Sequence, residues 1–101
     1  MLKERKLGNQ GLKVSALGLG CMGMSFGFDD SGVDAADSVA TIHHVLDLGL
    51  NFLDTAEMYG PYTNEELIGH ALKGRRSAAV IATKFGRDIQ GRHVHGQVDG
   101  A

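Results

Sequence analysis

The chain has 101 residues, 43% of them hydrophobic and 22% charged, with a formal net charge of −2. That is the length of one small domain with an ordinary globular composition, and without a general basic field neither nucleic acid nor an acidic membrane is an expected partner. The one cysteine, Cys21, excludes an internal disulfide, and no run approaches the ~18 apolar residues of a membrane span.

The opening MLKERKLGNQGLK is basic and VSALGLGCMGM behind it is apolar. Glycines and a serine interrupt the apolar part, and the basic part is long and polar, which argues against a secretory signal. With a lone cysteine, a reducing, cytoplasmic location is the expectation. Residues 4–14 hold two short mixed segments around Gly8-Asn9-Gln10-Gly11, a turn composition that predicts a β-hairpin. Residues 16–20 suit a buried strand, and residues 21–33, rich in glycine and aspartate, a loop. From about 34 to 48, Val39, Ile42, Val45 and Leu46 recur at helical spacing, with Gly49 placed to cap the end.

Residues 50–53 predict the next strand, ended by Asp54. Thr63 opens a second helix: Thr63-x-x-Glu66 has the form of a capping box, and Leu67, Ile68, Ala71 and Leu72 make an apolar stripe ending at Gly74. Residues 78–83 predict a third strand, ended by Lys84. Residues 86–101 lack periodicity and predict a loop or a disordered tail. Hairpin, then β-α-β-α-β over residues 16–84, implies right-handed units on a parallel sheet. Three strands and two helices cannot cover both faces of such a sheet. The domain is expected to be unfinished, with Leu53, Val80 and Ala82 lacking an opposing wall.

Three residues carry chemistry. Asp54 and Lys84 each have a bland explanation, a strand end meeting solvent, and Tyr59 reads equally as a plug on the helix. Their joint placement changes that, because equivalent ends of neighbouring parallel strands lie side by side. There Asp54 can pair with Lys84, and Tyr59 can swing over the pair. A free phenol, with a pKa of about 10, is a poor proton donor near neutrality. A neighbouring ammonium favours the phenolate and so improves the acid. This suits reduction of a carbonyl, with hydride from a cofactor, since no side chain supplies one.

Other motifs carry less. Gly18-Leu-Gly20-Cys-Met-Gly23 matches G-x-G-x-x-G, but no helical pattern starts inside it, and Asp54 lies too far on to serve as the ribose-binding acid of a dinucleotide fingerprint. His43 and His44 face different ways on one helix, His70 stands alone, and His93-Val-His95 has no cysteine or carboxylate at ligand spacing, so no metal is expected. Cys21 fits a small apolar filler better than a reactive thiol.

The stretch GLNFLDTAEMYGPYTNEELIG and the strand AVIATKFG resemble the aldo-keto reductase family. The opening LGNQGLKVSALGLGCMGMS is similar to its perakine-reductase-like and pyridoxal-reductase-like branch. The resemblance runs from about Leu7 to Arg87. It implies the N-terminal part of a (β/α)8 TIM barrel, with a leading hairpin at the base, about three of eight strands present, and a site at the strands' carboxyl ends. It further implies an NADP-dependent oxidoreductase reducing aldehydes or ketones to alcohols, NAD being the lesser alternative. Tyr59 matches the proton donor, Lys84 the lysine that tunes it, and Asp54 the lysine's partner. Gly20, Cys21 and Met22 match first-loop positions lining the nicotinamide ribose, and Asp54 is the fourth cofactor-facing residue.

The family's catalytic histidine, at the end of a fourth strand, has no counterpart here, and neither does its main phosphate-binding segment. His93 and His95 fall in the loop after strand three and inherit neither role. The 101 residues are therefore expected to be an incomplete, inactive portion. The alternatives are a non-catalytic cofactor-binding subunit, as in channel-accessory members of the family, and a truncated gene product.

Overall fold

In the computed structural model, residues 2–24, 35–90 and 93–97 are described. The first element is the expected antiparallel hairpin: β1 (Glu4–Leu7) and β2 (Leu12–Ser15) pair from Glu4↔Ser15 to Leu7↔Leu12. Its last residues, Val14 and Ser15, are buried. Ser15 and Asn51 hold each other reciprocally: Ser15 N–H donates to Asn51 Oδ1 at 2.7 Å, and Asn51 N–H to Ser15 Oγ at 3.0 Å. Asn51 immediately precedes β4 (Phe52–Asp54), so the hairpin is tied to the amino end of the central sheet, away from the strand ends that carry Asp54 and Lys84.

That sheet is parallel, in the order β3 (Gly18–Gly20), β4, β5 (Val80–Ala82), with Gly20 opposite Asp54 and Asp54 opposite Ala82. Helices α1 (Ala35–Asp47) and α2 (Thr63–Ala71) make the two crossovers. Alternation along the strands sorts the side chains onto two faces. Leu19, Leu53 and Ile81 share a register row and belong to the apolar core, with Cys21, Ile42, Ile68, Ala71 and Leu72. Leu53 is fully buried there, a gain of about 1.5–3 kcal/mol for such a side chain.

This corrects the expectation that Leu53 would lack a partner: its side of the sheet is the one the helices cover. Val80 and Ala82 alternate to the other face with Gly18, Gly20, Phe52 and Asp54, and remain half-exposed. On that face Phe52 covers Gly18, where an added Cβ would stand 3.3 Å from the ring.

Helix α1 ends as its sequence predicts. Gly49 adopts φ 92°, open to glycine at little cost, while Leu50 N–H reaches Val45 O and Gly49 N–H reaches Leu46 O, both at 3.0 Å. Two contacts then lock α1 to α2 and the turn after it: His43 Nε2, necessarily the protonated nitrogen against a carbonyl, lies 2.7 Å from Ala71 O in α2, and Arg75, beyond the helix, meets Asp47 at 2.7 Å.

Three local expectations need correction. The strands begin later than predicted: Leu17 O accepts from the Ser15 hydroxyl, Asn51 N–H donates to the oxygen of that hydroxyl, and residues 76–78 form a 3-10 turn. The capping box does not form: Thr63 is already helical, Tyr62 precedes it at φ 64° with no side-chain cap, and the backbone carbonyl of Tyr59 takes the Asn64 N–H at 3.1 Å. Finally, residues 87–90 and 93–97 are not a structureless tail. β6 (Arg87–Gln90) and β7 (His93–Gln97) form a second antiparallel hairpin with Ile89 opposite Val94 and an irregularity between Arg87 and Ile89. That irregularity hides the alternation in the sequence. His93 and His95 thus lie on β7.

Candidate active site

Asp54 and Lys84 come from consecutive βα units: Asp54 is the last residue of β4, and Lys84 follows β5 by two positions. Parallel pairing continues past the strand ends, with Thr55 N–H donating to Ala82 O at 2.8 Å and Glu57 N–H to Lys84 O at 3.1 Å. Those two bonds bring the side chains together. Lys84 Nζ donates to Asp54 Oδ1 at 2.5 Å, to Thr55 O at 2.8 Å and to Tyr59 Oη at 3.2 Å. Three donors meet three oxygens, and the ammonium also lies 5.0 Å from the centre of the Tyr59 ring.

The charge of Lys84 is secured by these neighbours. The hydrogen bond to Asp54 raises its pKa most, partial burial pulls the other way, and the Tyr59 hydroxyl adds to the rise. Both partners of the ion pair remain about half exposed, so its worth lies in the geometry it imposes more than in stability. Tyr59 is placed by a compact turn: its N–H donates to Ala56 O at 3.1 Å, and Tyr62 N–H closes back on Glu57 O at 2.8 Å. Gly60, at φ 98°, lets this turn lie beneath Thr63, and a Cβ there would stand 1.6 Å from Thr63 Oγ1.

The loop after β3 divides its three nominated residues. Gly20 is exposed beside Asp54, and among the described residues, its chain neighbours aside, no atom lies within 4 Å of where its Cβ would be. A ligand can therefore approach the backbone next to the carboxylate. Met22 is half-buried in a 3-10 turn, Met22–Met24, and no α-helix starts in the glycine motif. Cys21 has the burial expected of a small apolar filler. Its thiol is fully buried in the core, where burial pushes its pKa up to about 11, and its N–H is taken by Asp54 O at 2.9 Å. Cys21 anchors the loop from below.

Sequence reasoning missed Asn64. Wholly buried, it donates from Nδ2 to Cys21 O at 2.6 Å and accepts at Oδ1 from Thr55 Oγ1 at 2.5 Å. The signal was available: Asn64 precedes Ile68 by one turn and Ala71 by two, which sets a polar residue in the apolar stripe of α2. Thr83 and Glu65 add a neighbouring tie, the hydroxyl donating at 2.6 Å. Among the described residues, no cluster of three or more potential metal ligands occurs, and no helix is long and apolar enough to cross a membrane.

Known proteins share this arrangement of elements. Residues 16–100 match the model of the aldo/keto reductase family. An aldo-keto reductase from Bacillus halodurans, solved in its holo form, is 39% identical over 97% of this chain, with a TM-score of 0.80. A glycerol dehydrogenase from Gluconobacter oxydans is 30% identical over 93%, with a TM-score of 0.71. An aldo-keto reductase from Klebsiella pneumoniae in complex with NADPH is 34% identical over 70%, with a TM-score of 0.61. The chain spans 30%, 30% and 24% of these three proteins respectively. With α/β units that superpose on the first part of (β/α)8 barrels, and a family match over most of its length, the chain belongs to the aldo/keto reductase family.

Proposed function

We propose that the whole protein, of which these 101 residues are a part, reduces aldehydes or ketones to alcohols with NADPH. The observation that carries this reading is the Lys84 ammonium, held at once by Asp54, Thr55 O and the Tyr59 hydroxyl. A bound reduced nicotinamide would supply the hydride gained by the carbonyl carbon. Tyr59 donates its proton to the carbonyl oxygen, completing the alcohol, and regains one from solvent. As that proton leaves, negative charge grows on Oη, 3.2 Å from Lys84 Nζ, where the ammonium stabilises it. Asp54 keeps Lys84 charged and in place. Gly20, Cys21, Met22 and Asp54 form the cofactor-facing side, the buried Cys21 side chain fixing the loop beneath.

Within the family, the opening LGNQGLKVSALGLGCMGMS supports placement with the perakine-reductase-like and pyridoxal-reductase-like single-chain enzymes. NADP rather than NAD is the proposed cofactor, and its phosphate grip lies outside residues 1–101. A cytoplasmic location fits the single free thiol. The test is NADPH consumption by the full-length protein across a panel of aldehydes and ketones, and its dependence on the Tyr59 hydroxyl. The 101-residue chain alone is proposed to be inactive.

A further inference from the structure

One side chain joins the separate strand ends of the site. The Asn64 carboxamide is wholly enclosed, and its orientation is fixed because the Cys21 carbonyl can only accept, so Nδ2 must face it. Nδ2 holds the loop after β3 through Cys21 O; Oδ1 holds the end of β4 through Thr55 Oγ1; the backbone N–H holds Tyr59 O. Thr55 in turn presents its carbonyl to Lys84 Nζ at 2.8 Å. From Asn64, two short paths lead to the Lys84–Tyr59 contact, one through Thr55 and one through the Tyr59 backbone. A third leads to the Gly20–Met22 loop.

A hydrogen bond contributes only about 1 kcal/mol net. An apolar residue here, however, would leave the buried Cys21 carbonyl and Thr55 hydroxyl without this partner, at about 1–3 kcal/mol each, so the amide stabilises the loops as well as orienting them. What the amide adds is direction: its two side-chain bonds fix the loop after β3 against the segment between β4 and α2, while the backbone N–H of the same residue holds the Tyr59 carbonyl.

We propose that Asn64 is a positioning residue of the reductase, acting through Thr55 and Cys21 to hold the proton-donating tyrosine, the lysine and the cofactor-facing loop in one fixed relation. The proposal rests on the reading of Tyr59 as proton donor. Displacing Thr55 would move one of the three oxygens around the ammonium and reorient Nζ toward or away from Tyr59 Oη. Releasing Cys21 would loosen the loop on the opposite side of Asp54.

The experiment uses the full-length enzyme, measured well below its melting temperature. Thr55→Val keeps the shape and the backbone carbonyl but removes the hydroxyl, Thr55→Ser restores the hydroxyl, and Asn64→Leu removes all side-chain bonds. Thr55→Val is expected to lower kcat about tenfold, with the carbonyl KM little changed, and Asn64→Leu to lower it by about a hundredfold, the cost of a ~1 Å misplacement. The alkaline limb of the kcat–pH profile should move in Thr55→Val, and Thr55→Ser should return both kcat and the limb toward the parent. If Asn64→Leu fails to fold, the two Thr55 variants decide. Thr55→Val with a lowered melting temperature but parental kcat and pH profile would make the network merely structural and overturn the proposal. Tyr59→Phe is assayed in parallel: if it still turns over, the general-acid reading fails and takes this proposal with it, whereas an inert Tyr59→Phe beside an unaffected Thr55→Val sinks the positioning role alone.

Discussion

Lys84 Nζ stands 2.5 Å from Asp54 Oδ1, although thirty positions of sequence separate the two residues. The whole α2 crossover lies between them, and parallel pairing of β4 with β5 brings their ends back together. Asp54 is the main cause of the raised pKa of Lys84. For a raised lysine, the stabilisation is fully present below the unfolded value of about 10.4 and is lost as pH climbs through the folded value. The pair is therefore intact throughout the neutral range.

Asp54→Asn should let the lysine lose its proton at lower pH. In the full-length enzyme, the alkaline limb of kcat is expected to shift toward neutrality, with activity at pH 7 reduced through loss of the lysine's anchor. A pH–rate profile checks this; an unmoved alkaline limb would mean that Asp54 does not govern the lysine.

Gly60→Ala should disrupt the turn that carries Tyr59. The new methyl would meet Thr63 Oγ1 at 1.6 Å and Thr63 Cβ at 2.9 Å, at φ 98°. A cost of about 1–3 kcal/mol is expected for holding a non-glycine residue there. Urea unfolding of the full-length variant reads the loss, and kcat should fall with it as Tyr59 leaves its place.

Cys21 should be silent to thiol reagents in the folded enzyme. Its pKa is pushed up to about 11 by burial, so the thiol stays protonated at neutral pH. Because folding disfavours the thiolate, this group costs stability only as pH rises above its unfolded value, about 8.5. Ellman's reagent at pH 8 should leave it unmodified until denaturant is added.

Much of this was legible before any coordinates. Asp54, Tyr59 and Lys84 could be brought together because right-handed β-α-β topology leaves little choice about which strand ends are neighbours. The helices followed from Val39, Ile42, Ile68 and Leu72, and Gly49 marked an end that it does cap. What stayed hidden depended on contacts between distant segments. Asn64 shares the apolar stripe of α2, but its partners, Cys21 O and Thr55 Oγ1, come from segments that only the fold brings to it. Thr63 advertised a cap that the Tyr59 carbonyl made unnecessary.

Residues 1–101 expressed alone should unfold with weak cooperativity and show no NADPH oxidation. The helix-covered face of the sheet has a core, but the face bearing Phe52, Val80 and Ala82 has no opposing layer among the described residues, and β3 and β5 are edges there. A sharp near-ultraviolet transition in a soluble monomer would contradict this.

The central claim is that the Tyr59 hydroxyl delivers the proton. The most direct measurement is single-turnover NADPH oxidation by full-length Tyr59→Phe with a reactive aldehyde, beside NADPH titration of the same variant. Removing a general acid typically costs about 10²–10⁴ in rate, while the retained ring keeps the packing. The expected result is a loss of that size with nearly unchanged NADPH affinity; a variant that reduces the aldehyde at the parental rate would contradict the account.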